Sequence, residues 1–205
     1  MAPVRDEAGK GADQSLRAHL RAATMAAHDL LDHAMQAASG WQTRADYARF
    51  LALQHAARAP LEAWLAVHAP ADLVPPPQTP LLARDLSALG VPLPPSSPPF
   101  APAQTPSRPP VAAMFHVHHL ALGAAWVLAG SALGNKAIAK QVTRIGGGLW
   151  PTAFLGDVAM MGFWQALRGR IDEPAEAGEA AGATRAATAV FAHFQAVAEA
   201  ESVSA

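Results

Sequence analysis

The chain has 205 residues, 51% of them hydrophobic and only 15% charged, with a net charge of −1 and no cysteine. That balance offers no long-range field for nucleic acid or an anionic membrane, and without thiols there is neither thiolate catalysis nor a disulfide framework. The length suits one core, and an alanine-rich composition sparse in β-branched and aromatic residues points to an all-α fold.

Residues 1–12 are small, polar and glycine-containing, which predicts a disordered arm ahead of a single domain at 13–205. No apolar run approaches the ~18–20 residues of a membrane span, and the first residues lack a signal-peptide core. A cytoplasmic protein, with no membrane and no nucleic acid among its partners, is therefore expected.

The first helix is predicted from Asp13 or Ser15 to the Ser39-Gly40 stop. Leu16, Leu20, Ala23, Ala27, Leu30, Leu31 and Ala34 recur at helical steps and form its apolar stripe. Beside it runs a second row, Arg17, Arg21, Thr24, His28 and Asp32. Arg21 and His28 are two turns apart, roughly 10.5 Å along the axis. An imidazole with a cation at that spacing suits a flat anionic cofactor held by its metal and its carboxylates, whereas a helix histidine satisfied by Asp32 is the plain alternative.

L-R-A-A-T-x-x-A-H-D-x-L-D, from Leu20 to Asp32, resembles the proximal-helix motif of heme oxygenases, particularly the bacterial biliverdin-forming kind. The resemblance implies that His28 is the axial ligand to haem iron, with Arg17, Arg21 and Thr24 beside it as cofactor contacts.

Thr43 with Asp46 reads as a capping box opening a helix that buries Tyr47, Phe50 and Leu51. Pro60 is expected to break or kink it, with a short helix continuing through Leu61, Trp64 and His68. Loop follows to Pro80, then a short helix from Leu81 to Leu89 ended by Gly90. Residues 91–110 are proline at nearly every second position, so neither helix nor central strand forms there. A solvent-exposed polyproline crossover is favoured over a ligand for an SH3-like groove.

From Val111 to about Arg144 the chain is helix-rich, yet it carries Gly123, Gly130 and Gly134. Each costs about 1 kcal/mol against alanine in a helix interior, so close helix packing or close approach to a ligand must favour them. A-W-V-L-A-G-S-A-L-G-N, Ala125 to Asn135, is similar to the kinked, glycine-bearing distal helix of bacterial heme oxygenases. The resemblance places Trp126 among the cofactor contacts, and Gly130, Ser131, Gly134 and Asn135 on the oxygen side. This chain has Trp126 for the family's usual Tyr, Ala129 for a frequent Glu, and Asn135 for a second adjacent glycine. Ser131 stands where mammalian-type members place an Asp. Two roles stay open for Asn135, shrinking the distal pocket or giving a polar group to oxygen.

After the Gly146–Gly148 break, Pro151 to Arg170 is expected to be helical, with Phe154, Leu155, Val158, Met161, Phe163, Trp164 and Leu167 as core candidates. P-T-A-F-L-G there also resembles the family's segment after the distal helix. Asp172 to Gly182 reads as acidic loop, and Ala183 to Ala200 as a last helix with Phe191 and Phe194 facing the core.

Other signals weigh less. His116, His118 and His119 lack a carboxylate within a turn and read as surface or interface histidines rather than a metal cluster. Gly130 to Lys136 is one residue short of a phosphate loop and follows no strand. No serine sits in an elbow motif.

The expected architecture is a heme oxygenase-like helical bundle with haem sandwiched between a proximal and a distal helix. By resemblance, haem is both cofactor and substrate. With O2 and an external donor, ferredoxin-type or a reductase, it is opened to biliverdin, carbon monoxide and ferrous iron. A bacteriophytochrome using the biliverdin is a family-level partner. Two other classes stay open: a haem-binding or haem-sensing protein without turnover, and a non-haem helical interaction protein.

Overall fold

Helix α1 (Leu16–Ala38) begins where Ser15 caps it, its Oγ accepting from the Ala18 amide at 3.3 Å. It ends at Ser39, and Gly40 takes φ +64° to turn the chain away. The computed structural model describes residues 14–102 and 111–204, so the expected arm at 1–12 and residues 103–110 of the proline-rich connector lie outside the described residues.

The buried row of α1 is Leu16, Leu20 and Thr24, with Leu31 packed at the core's edge. Leu30, expected inside, is 58% exposed. Periodicity gives the width of an apolar stripe but not which edge turns inward. Thr24 fits the buried row because its hydroxyl is satisfied by the Leu20 carbonyl at 2.8 Å.

Helix α2 (Arg44–His68) opens with the expected capping box, Thr43 and Asp46 exchanging bonds of 2.9 and 3.1 Å. Contrary to expectation, it runs through Pro60 as one 25-residue helix. Pro60 has no amide to donate back along the helix. The carbonyl it would have met is that of Ala56; the neighbouring Ala57 carbonyl lies 3.1 Å from Nε2 of His193. After a single 3-10 turn (Ala71–Leu73) comes α3 (Thr79–Ala88), which starts earlier than its apolar pattern suggests. The Glu62 carboxylate of α2 accepts from the Gln78 amide at 2.8 Å and the Thr79 hydroxyl at 2.7 Å, capping α3 across the fold.

Residues 91–102 form neither helix nor strand, and Phe100 anchors them against Trp64 and His193. Helix α4 (Val111–Ile145) then continues for 35 residues as one helix through Gly123, Gly130 and Gly134. By length and composition, His116–Ile145 is apolar enough to cross a membrane, which corrects the expectation that no such run exists. Half of its most apolar window is buried inside the fold.

Two further boundaries differ from expectation. Residues 151–157 are not helical, and α5 spans only Val158–Ile171, capped by the Asp157 carboxylate. The buried Asp85 explains this, because it accepts from the Ala153 and Phe154 amides at 3.0 and 2.9 Å and holds that turn open. Val158 is consequently exposed, while Phe154 and Leu155 stay buried. Helix α6 (Ala177–Ser204) starts six residues before the expected position, leaving only a short turn after α5.

All six helices are α, and the described residues contain no strand beyond the isolated Ser15–Pro174 bridge. Both α1 and α4 pack most extensively on α6, and they do not pack extensively on each other. At Gly123 an added Cβ would strike the Ala183 carbonyl, so glycine is what allows α4 and α6 to approach there. Two apolar clusters result. One joins α1, α4, α5 and α6 with the second half of α2; the other gathers Tyr47, Phe50, Leu82, Leu86, Val142 and Phe154.

Candidate functional site

The two segments singled out by sequence lie on α1 and α4, each seated on α6. The His28 side chain is 57% exposed on α1. Its Nδ1 faces Asp32 Oδ2 at 3.4 Å and Asp29 Oδ1 at 3.7 Å. No described residue takes the Nε2 of His28. Phe191 of α6 backs the ring, edge to face, with centroids 6.0 Å apart.

The row expected beside His28 divides. Arg17 is engaged by Asp172, and the same end of α1 is tied down by the Leu16 amide to the Glu173 carbonyl at 3.0 Å. Thr24 is buried with its hydroxyl returned to its own helix. Arg21 is exposed and, of the two arginines in that row, is the one without an ion pair among the described residues.

On α4, Trp126, Gly130 and Gly134 form one row at four-residue steps. Trp126 is partly buried, and its Nε1 is enclosed with no acceptor. The two glycines differ: a Cβ at Gly130 would touch Trp164 of α5 at 3.8 Å, whereas one at Gly134 would meet nothing within 4 Å. Asn135 is half-buried, and its amide has no hydrogen bond within the described protein. Leu133, next to Gly134, is 53% exposed, and Met25, one turn before His28, is exposed too.

Ser131 is firmly held. Its hydroxyl donates to the Leu128 carbonyl at 2.7 Å and accepts from Arg58 Nη2 at 2.7 Å. Arg58 is 1% exposed. Its guanidinium lies 5.1 Å from the Phe154 ring centroid and 5.9 Å from that of Phe194, bridging the two apolar clusters. Burial lowers its pKa to about 10, so it remains cationic at neutral pH. Sequence reasoning put the Gln54-to-Arg58 neighbours on the buried face of α2, with Leu51, but gave Arg58 no role. It also assigned Phe191 to the core without seeing that its ring would back His28.

The remaining histidines do not converge. His116 Nε2 accepts from Arg185 at 3.2 Å, and the His118 and His119 rings meet edge to face at 6.2 Å. No three His, Asp or Glu side chains among the described residues form an all-protein metal site. A recess of about 500 Å³ lies between α2 and residues 94–100, walled by His55, Trp64, His68 and Phe100. None of the candidate residues of α1 or α4 lines it.

Haem can be tested against these features. It needs one axial nitrogen with its lone pair outward, a cation for its carboxylates, apolar neighbours and an uncovered opposite wall. Taken one by one, His28 offers an exposed imidazole, Arg21 an exposed cation, Met25 and Leu133 exposed apolar side chains and Gly134 a bare stretch of α4, while Trp126 Nε1 is an enclosed donor with no acceptor. No family model matches the chain, nor does any curated protein or solved structure, so the likeness to heme oxygenases rests on the residues of α1 and α4 themselves.

Proposed function

We propose that the chain is a heme oxygenase, binding haem against α1 and opening its ring to biliverdin. The observation that carries this is His28: an exposed imidazole beside Asp32 and in edge-to-face contact with Phe191, with no hydrogen bond to any described residue.

Bound haem supplies both the iron that activates oxygen, with electrons from an external donor, and the porphyrin edge that is oxidised. The chain's own residues bind and orient. His28 holds the iron, and Asp32 fixes the imidazole tautomer and strengthens its basicity. Arg21 pairs with the ring's carboxylates and limits its rotation. Trp126 Nε1 offers one more donor. Gly134 keeps the wall of α4 bare, and Asn135 presents its amide at the edge of that bare stretch.

Mixing purified protein with hemin tests binding through a Soret band. Adding reductant in air tests turnover through loss of that band and growth of biliverdin absorption. A second reading, haem binding without turnover, is favoured by Ser131. Its hydroxyl proton is committed to Leu128 and one lone pair to Arg58, so it has no proton left to give. A Soret band that persists under reductant and air selects this second reading.

A further inference from the structure

Arg58 is a buried cation without a counter-ion. Its Nε donates to Gln54 Oε1 at 3.1 Å and its Nη2 to Ser131 at 2.7 Å, while Nη1 is enclosed with no partner. No carboxylate of the described residues forms an ion pair with it. Glu62, one turn further along α2, is the acidic group whose charge it feels, and that carboxylate is occupied in capping α3. Desolvating a charge costs several kcal/mol, and a neutral residue of similar shape would fill the same space. Phe154 and Phe194 offset part of that cost through their ring faces.

The charge is directed at one place. Ser131, Gly134 and Asn135 stand at i, i+3 and i+4 on α4 and share a face. Arg58 approaches that face from α2 through Ser131, and inside a low-dielectric interior its field is weakly screened.

We propose that Arg58 is a positioning residue that fixes Ser131 and imposes a positive potential on the Gly134 face of α4. Haem seated there then takes anionic ligands more tightly than it otherwise would. This inference rests on the haem reading above and extends it to the ligand side of the site.

The test compares azide, an anion, with imidazole, a neutral ligand, binding to the ferric hemin complexes of wild type, Arg58→Met, Arg58→Gln and Arg58→Lys. Affinities are read from absorption spectra, and circular dichroism melts of the haem-free proteins report folding. Arg58→Gln and Arg58→Met are expected to weaken azide binding about tenfold, the effect of losing one nearby charge. Imidazole binding is expected to stay near wild type, and Arg58→Lys to retain azide affinity. If Arg58→Met fails to fold, Arg58→Gln carries the test, since its amide can still donate to Ser131. Unchanged azide affinity in a folded Arg58→Gln overturns the proposal, as does a parallel fall in azide and imidazole binding. Failure of the wild type to bind hemin overturns the haem reading, and this inference with it.

Discussion

Nδ1 of His28 lies 3.4 Å from Oδ2 of Asp32, one helical turn further along α1. Both side chains are more than half exposed, so the contact adds little to folding. Its consequence is for the ring's outer nitrogen. His28→Ala is expected to keep the wild-type melting temperature, lose the hemin coordination spectrum and make no biliverdin, with added imidazole restoring part of the spectrum. Asp32→Ala is expected to weaken hemin binding about tenfold, as loss of an outer-shell partner does. Hemin spectra and turnover unchanged in His28→Ala would sink the assignment.

Arg17 and Arg21 provide an internal comparison, because one is paired with Asp172 and the other is not. Arg21→Ala is expected to reduce hemin affinity clearly and to alter the mixture of biliverdin isomers by freeing ring rotation. Arg17→Ala is expected to leave both nearly unchanged and to lower the melting temperature slightly. Equal losses of hemin affinity would show a general charge effect instead.

The glycines of α4 separate stability from function. Gly123→Ala drives a methyl into the Ala183 carbonyl and is expected to destabilise by about 1–3 kcal/mol or more. Gly134→Ala enters open space and is expected to stabilise by about 0.4–1 kcal/mol through the unfolded chain. Gly134→Leu is expected to keep the fold and the hemin spectrum while slowing biliverdin formation. Paired melting curves and turnover assays check this; a loss of activity that tracks loss of fold would remove Gly134 from the site.

Asp85 predicts an unusual pH dependence. Burial holds its carboxyl above the ordinary value of 3.8, outweighing the Phe154 and Ala153 amides that favour the ionised form. The folded value is the higher one, so its contribution to stability is largest below 3.8 and declines as pH rises through the folded value. Denaturant midpoints for wild type and Asp85→Asn should show wild type losing ground to the variant as pH rises across that window. The opposite trend would mean that the amide bonds dominate. Asp85→Ala leaves two amides unpaired and is expected to cost about 2–3 kcal/mol at neutral pH.

The local signals were the legible ones. Ser15, Thr43 with Asp46, and Gly90 mark helix ends because their chemistry acts within a few residues. The two halves of the candidate site were visible as motifs on helices for the same reason. What escaped was decided by partners distant in sequence. Residues 151–157 read as helix until Asp85 claims their amides. Thr24 reads as a cofactor contact until its hydroxyl is seen returned to Leu20. Arg58 belongs to the buried face of α2, but nothing local to it names Ser131, 73 residues on, as its partner.

The crossing of α4 and α6 has a mechanical meaning. At Gly123 against Ala183, and again where a Cβ on Gly182 would come within 2.7 Å of His119 Cβ, the helices touch with no slack. Gly134 lies eleven residues beyond that pivot, a lever of about 16 Å at the helical rise. A swing of about 5° about the crossing carries the Gly134 backbone about 1.4 Å. With that crossing fixed, such a displacement would have to be taken up at the other end, in the bond from Arg58 to Ser131 and the contacts of α4 with α5.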